Sequence, residues 1–322
     1  MKSLIHDTEI YNEKVERVLS NINKVMIGKE DVATLSLVAL LAGGHVLLED
    51  VPGVGKTMLV RALAKSLDCD FRRIQFTPDL LPSDVTGISI YNPKEMEFEF
   101  RPGPILGNII LADEINRTSP KTQSSLLEAM EEKNVTVDGK TVPLHEPFFV
   151  MATQNPIEYE GTYPLPEAQL DRFILKLKMG YPSFTDELDL LDRTSRNHPI
   201  EEIEAVITKE ELLSVQDEVK NVYIDNSIQH YIISLVTKTR EDSKIYLGVS
   251  PRGSIALMKA AKAYAYVFGR DYVIPDDVKF LAPYVMSHRV ILTTEAKYEG
   301  LTSEDIVDHI VKTTSIPIRK DF

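Results

Sequence analysis

The chain has one cysteine, Cys69, in 322 residues, so it can close no intramolecular disulfide and build no thiolate metal cluster. A reducing cytoplasm is the expected setting. Cations are also scarce: 36 Lys and Arg stand against 49 Asp and Glu, a net charge of −13. Nucleic acids and anionic membranes call for a cationic surface, so neither is an expected general partner, although a local basic patch stays compatible. No apolar run reaches about 18 residues, so no membrane insertion is expected. The opening MKSLIHDTEIYNEKVERVLS is charged throughout and lacks the apolar core of a signal peptide. The seven histidines show no ligand spacing such as HExxH and read as surface or core residues.

What is present suits an ordinary globular interior. Apolar residues make up 43% of the chain, and 322 residues suit two domains better than one. No repeat or low-complexity tract occurs. Residues 3–25 predict a polar amphipathic helix, and a second helix follows VMIGKEDV and ends near Gly43–Gly44. HVLLED (45–50), FRRIQF (71–76), NIILADE (108–114) and PFFVMATQNP (147–156) read as strands. TMLVRALAKSL (57–67) has helical spacing, with Leu59, Leu63 and Leu67 on one face. SPKTQSSLLEAMEEK (119–133) predicts a helix with a Ser-Pro start. NVTVDGKTVPL (134–144) predicts a hairpin turning at Asp138–Gly139, and LDRFILKLKM (170–179) closes this half.

Strands alternating with helices imply a parallel sheet covered on both faces. Past about residue 182 the pattern becomes helical. TKEELLSVQDEV (208–219) opens with a Thr208…Glu211 capping box, and the segments 226–242, 250–269, 275–290 and 302–314 all have helical spacing. The expected division is an α/β unit over 1–182 and an all-helical unit over 183–322, with the boundary in GYPSFTDE (180–187).

LLEDVPGVGKT (47–57) nearly spells a phosphate-binding loop. Gly55, Lys56 and Thr57 fit the pattern, but Asp50 holds the slot of the first glycine. Such loops wrap a phosphate in backbone N–H groups at the positive end of a helix. Pro52, Gly53, Val54, Gly55, Lys56, Thr57 and Met58 are the expected nucleotide contacts, with the Lys56 ammonium on the β- and γ-phosphates and the Thr57 hydroxyl on Mg²⁺. Asp50 lies where strand becomes loop, and is tolerated there if its φ stays below zero. NIILADEIN ends a strand in Asp113 and Glu114: the first suits Mg²⁺, mostly through water, and the second suits activation of an attacking water.

Three further residues are weighed against plainer readings. Asn155 ends VMATQNP, a strand expected between the two motif strands, where it would hold the attacking water; an Asn-Pro turn explains it equally well. Arg252 lies in the first turn of a helix capped by Ser250 and started by Pro251. A cation there opposes the helix dipole, which suggests an anionic partner across a cleft; a solvated arginine is the alternative. Arg172 in LPEAQLDRF suits an arginine finger, and a salt bridge to Asp171 or Glu167 suits it as well.

Together these motifs resemble the MoxR family of AAA+ ATPases over nearly the whole chain, most densely between residues 27 and 175. FRRIQFTPDLLPSDVTG, FRPGPI, NIILADEINR, PKTQSSLLEAMEE, ATQNP and YPLPEAQLDRF are all similar to the family's signatures. The resemblance implies a P-loop AAA+ core with a C-terminal helical lid, and it accepts the acid at Asp50. It implies ATP and Mg²⁺ as cofactors, Lys56 and Thr57 as Walker A residues, and Asp113 and Glu114 as Walker B. Asn155 becomes sensor 1, Arg252 sensor 2, and Arg172 a finger offered to the next subunit of a homo-oligomeric ring, a hexamer by preference. Ile27 and Gly28 become adenine contacts. The stretch 87–105 resembles the helix-2 insert of the clade, and the hairpin at Asp138–Gly139 its pre-sensor hairpin. The family's clients often carry a von Willebrand factor A domain. The pattern departs at Gly253, which stands where the family has alanine.

The implied function is a chaperone-like ATPase that remodels, matures or activates a partner protein. A chelatase-type motor subunit shares the core, as does a nucleic-acid motor, which the acidic balance disfavours. A GTPase switch would need an Asn/Thr-Lys-x-Asp motif, which is absent, and a small-molecule kinase an acceptor pocket that the sequence does not locate.

Overall fold

The computed structural model describes residues 12–155, 161–194 and 199–316. Helices α1 (Glu13–Asn23) and α2 (Glu30–Leu41) lead into strand β1 (Val46–Glu49) and helix α3 (Lys56–Ser66). Strand β2 (Phe71–Gln75), the single turn α4 (Pro82–Thr86) and a hairpin of β3 (Gly87–Asn92) and β4 (Glu97–Pro102) follow. Then come β5 (Ile109–Asp113), α5 (Pro120–Glu132), the hairpin β6 (Asn134–Val137) and β7 (Lys140–Pro143), β8 (Phe149–Gln154), α6 (Glu167–Leu170) and β9 (Leu175–Leu177). Of the helix expected over 3–25, residues 3–11 lie outside the described residues, as does Pro156 of the Asn-Pro tip. The described part starts at Asn12, whose side chain caps α1 by accepting from Lys14 N at 3.1 Å.

The sheet runs β2-β5-β8-β1-β9, all parallel, so the Asn155 strand does lie between the two motif strands. Strand residues alternate between two apolar clusters. Val46 and Leu48, Ile109 and Leu111, and Phe149 and Met151 face one side; Leu47, Ile110, Ala112, Val150 and Ala152 face the other. On the first side pack α1, α2 and α3, where Leu59, Leu63 and Leu67 are each 0% exposed. Each such leucine contributes about 1.5–3 kcal/mol of burial. On the second side pack Leu126, Leu127 and Met130 of α5. Hence both faces are covered, as the unbroken apolar runs demand.

The β6–β7 hairpin turns at Asp138 (φ 51°) and Gly139 (φ 76°), the left-handed pair expected of Asp-Gly. The stretch 87–102 is the exposed β3–β4 hairpin, in register from Gly87↔Pro102 to Asn92↔Glu97.

Beyond β9 the chain is helical: α7 (Phe184–Thr194), α8 (Pro199–Glu202), α9 (Lys209–Lys220), α10 (Asn226–Glu241), α11 (Pro251–Val267), α12 (Pro275–Met286), α13 (Thr294–Tyr298) and α14 (Ser303–Thr313). The capping box forms as read: Thr208 N donates to Glu211 Oε2 at 2.8 Å, and Glu211 N to Thr208 Oγ1 at 3.2 Å. One addition is a small antiparallel ribbon of β10 (Ile245–Leu247) and β11 (Ile291–Leu292). Strands of three and two residues are too short to show alternation in sequence. After its acidic first turn, helix α2 is buried all round from Val32 to Leu41, because α1 covers one flank and α9 and α11 another. The first apolar cluster therefore continues from the sheet into the helical half.

Candidate active site

The loop after β1 turns through two left-handed glycines, Gly53 (φ 84°) and Gly55 (φ 95°). Side chains rarely adopt such φ, so glycine is required at both positions. Space is open where a Cβ on Gly53 would stand. Gly55 is the N-cap of α3, which puts Lys56 and Thr57 in the first turn of an 11-residue helix. Asp50, in the first-glycine slot, is absent from the positive-φ positions, which meets the condition set by its side chain.

The site lies at the carboxyl ends of the parallel strands, where open α/β sheets hold ligands. A cavity of about 370 Å³ gathers Pro52, Gly53, Gly55, Lys56, Thr57 and Met58 from the loop with Asp113 and Glu114 from the end of β5. Two residues of β2, Arg73 and Gln75, complete it. The Lys56 ammonium donates to Asp50 O at 3.1 Å.

Asp113 and Glu114 are held by a network. Asp113 Oδ1 accepts from Thr153 Oγ1 at 2.7 Å, and Oδ2 accepts from Arg73 Nη2 at 2.6 Å and Nε at 3.2 Å. Thr153 Oγ1 in turn accepts from Glu114 N at 2.8 Å, so one hydroxyl fixes both acids. Glu114 is left-handed at φ 58°, a conformation uncommon outside glycine and found at functional turns. Its Oε2 accepts from Gln75 Nε2 at 2.8 Å and pairs with Arg117 at 3.2 Å. Arg73 Nη2 closes the chain by donating to Gln75 Oε1 at 2.6 Å.

Sequence reasoning missed Arg73, Gln75, Thr153 and Arg117. Thr153 left a signal, a hydroxyl in the apolar run VMATQ. Arg73 and Gln75 left none, because their role depends on the β2–β5 register that sets Gln75 opposite Asp113.

The cavity fits a magnesium nucleotide by the chemistry of its donors: hydroxyl and carboxylate oxygens from Thr57 and Asp113 face a lysine and a helix N-terminus. Asn155 stays close by, 7% exposed at the end of β8, but is not in the cavity wall. Its backbone oxygen accepts from Asn116 Nδ2 at 3.4 Å. Gly28 lines a separate cavity of about 700 Å³ with Lys29, Met179, Tyr181 and Tyr284. It is left-handed at φ 63°, and the Asp186 carboxylate fills the space a Cβ would take. Ile27, between buried Met26 and Gly28, is half-buried.

Arg172 and Arg252 are brought together, away from this cavity. Both pair with Glu131 at the end of α5: Arg172 Nη2 lies 2.9 Å from Oε2, and Arg252 Nη2 is bonded to Oε1. Glu131 therefore replaces Asp171 and Glu167 as the partner of Arg172. Asp171 instead accepts from Arg289 Nε at 2.6 Å and from Ser250 Oγ at 2.8 Å. A cavity of about 180 Å³ opens here, with Arg172, Arg252, Lys259 and Arg289 among its lining and no phosphate-loop residue. The Arg172 Nε is buried without a partner. Burial lowers the pKa of Arg289, while its bond to Asp171 opposes the shift. Burial also holds His288 well below its ordinary range, with the Arg289 charge acting in the same direction.

Residues 45–175 match the model of the ATPase family associated with various cellular activities (AAA), and residues 237–310 match the AAA lid domain. The chain is 66% identical over 304 residues to the protein YeaC of Bacillus subtilis, covering 94% of this chain and 95% of that one. It is 40% identical over 312 residues to Chaperone MoxR1 of Mycobacterium tuberculosis, covering 94% and 82%. A crystal structure of a protein from Cytophaga hutchinsonii matches with a TM-score of 0.88 at 44% identity, over 95% of both chains. With the phosphate loop, the paired acids and the helical C-terminal half, these matches identify the chain as a member of the MoxR family of AAA+ ATPases.

Proposed function

We propose that the chain hydrolyses ATP with Mg²⁺ and couples the reaction to remodelling, maturation or activation of a partner protein. The observation that carries this reading is the single cavity in which Gly53, Gly55, Lys56 and Thr57 face Asp113 and Glu114. Thr57 and Asp113 hold the ion, which when bound neutralises charge on the phosphate oxygens. Thr153 and Arg73 keep Asp113 aimed. Lys56 leaves the Asp50 carbonyl for the phosphates. Glu114 takes the proton of the attacking water, and Asn155 orients that water. Ile27 and Gly28 face the base.

Arg172 and Arg252 serve a neighbouring copy. They share one carboxylate on a face that no phosphate-loop residue lines, so a phosphate presented by another subunit suits both. On this reading the chains form a head-to-tail ring, a hexamer by preference, with a core to about residue 182 and a lid from 183. The name of the mycobacterial relative supports a chaperone role, and the family resemblance a client with a von Willebrand factor A domain. A cytoplasmic setting suits the single cysteine, whose thiol burial pushes up to about 12. No helix among the described residues is long and apolar enough to cross a membrane.

Glu114→Gln tests the centre of this reading. It should bind ATP as the parent does and lose turnover by roughly 10²-fold or more, while Lys56→Ala should lose binding. Wild-type turnover by Glu114→Gln would overturn the assignment.

A further inference from the structure

Asp50 occupies the slot where a phosphate loop ordinarily has glycine, and the residue is only 8% exposed. Its oxygens divide their work. Oδ1 accepts from Val51 N at 2.8 Å, inside the loop. Oδ2 accepts from Gly180 N at 2.5 Å, 130 residues further along the chain. Gly180 belongs to the segment that leaves β9 for the helical half.

A second charged side chain grips the same segment. Lys29, also 8% exposed, donates to Met179 O at 2.8 Å, Gly180 O at 3.1 Å and Tyr181 O at 3.0 Å. An ammonium has three protons, and all three are committed here. The anion takes the N–H of this segment and the cation its carbonyls, so two buried side chains fix a segment whose Gly180 and Tyr181 are themselves exposed. Just beyond, the Asp186 carboxylate in the first turn of α7 presses on Gly28, next to Lys29. The Met179 methyl lies 3.9 Å, and the Met26 methyl 3.4 Å, from where a Cβ on Gly55 would stand.

Asp50 is thus bonded at both ends. Its main-chain oxygen accepts a hydrogen bond from Lys56, and its side chain accepts one from Gly180 N. We infer that Asp50 and Lys29 form a clasp that transmits occupancy of the phosphate loop to the segment carrying the helical lid. They are positioning residues: neither lines the phosphate cavity, and Lys29, although it lines the Gly28 cavity, has its ammonium on the 179–181 carbonyls. The inference rests on the nucleotide site proposed above. When Lys56 turns from the Asp50 carbonyl to a phosphate, the filled loop becomes stiffer, and the residue that holds Gly180 becomes stiffer with it.

The test measures amide exchange across 179–187 of the full-length protein, with and without ATP plus Mg²⁺, beside calorimetric titration and steady-state turnover. In the parent, nucleotide should slow exchange at Gly180 by about fivefold or more, the lower end of ordinary coupling factors. Asp50→Gly restores the usual glycine, so its Kd and KM should stay within about threefold of the parent. Its nucleotide-dependent protection should vanish and its kcat should fall about fivefold or more. Lys29→Met keeps the apolar stem and should lose protection likewise, while Lys29→Arg should recover part of it. Asp50→Asn, left with one acceptor oxygen, should fall between. If Asp50→Gly does not fold, Lys29→Met and Asp50→Asn decide, since both keep the native loop spacing. Parent-like protection in the folded variants overturns the clasp and leaves the nucleotide site standing. A parent that binds no nucleotide overturns both.

Discussion

Gly253 sits in the first turn of α11, where an added Cβ would meet Val249 Cγ1 and come within 3.0 Å of Arg289 Cδ. Arg289 cannot yield, because it donates to Asp171 Oδ1 at 2.6 Å, Phe173 O at 2.7 Å and Asp171 O at 3.0 Å. The departure from the family's alanine therefore has a packing cause, which sequence alone could not show. Gly253→Ala should lower stability by about 1–3 kcal/mol despite its better helix propensity, read as a lower denaturant midpoint. A rise would mean that Val249 and Arg289 repack freely. His45 gives the residue scale a pH dependence. Its Nδ1 accepts from Val150 N at 3.0 Å and its Nε2 lies 3.3 Å from Met130 O, the pattern of a neutral ring donating through Nε2. Burial pulls its pKa from 6.5 down to about 4. Between those values the unfolded chain binds a proton that the folded chain refuses. Stability should therefore fall as pH drops from about 6.5 to 4, by roughly 3 kcal/mol from this group. His288 acts in the same direction. Urea titrations at pH 7.5, 5.5 and 4.5 measure the slope, and His45→Gln should flatten it.

At the scale of elements, the sheet was legible because its central strands are buried on both faces and read as unbroken apolar runs. The Asp138–Gly139 turn was legible because its left-handed pair demands such residues. The phosphate loop and the acids after β5 were legible because each is local. The network around the acids was not, since β2, β5 and β8 meet only through register. Thr153 is the clearest case. One hydroxyl on β8 donates to Asp113 and accepts from the Glu114 backbone. Thr153→Val keeps the shape of the side chain and removes both bonds. It should cost about 1–3 kcal/mol, because buried partners are left unpaired, and should lower ATP turnover about tenfold. An unchanged kcat would show that the acids hold their positions without it.

At the scale of the whole molecule, the placement of Arg252 decides between two machines. From the sequence, an arginine that opposes its own helix dipole wants an anionic partner across a cleft. In the structure the anion is Glu131, shared with Arg172 on a face apart from the phosphate cavity. If both arginines serve the next subunit of a ring, Arg172→Ala and Arg252→Ala should each bind ATP and hydrolyse it poorly, by on the order of 10³-fold for a finger acting in trans. Mixing either with Lys56→Ala should restore activity. Mixed rings contain interfaces where an intact Lys56 faces both intact arginines. The two arginines separate under this test if Arg252 works in its own subunit. An Arg252→Ala subunit would then keep Lys56 but lack its arginine, and a Lys56→Ala subunit would lack the phosphate contact, so no active pair could form. Recovery with Arg172→Ala alone would assign Arg252 to its own nucleotide, and recovery with both would assign the pair to the neighbour. No recovery with either, in rings shown to co-assemble, would make the Glu131 contacts structural and remove the arginines from the reaction.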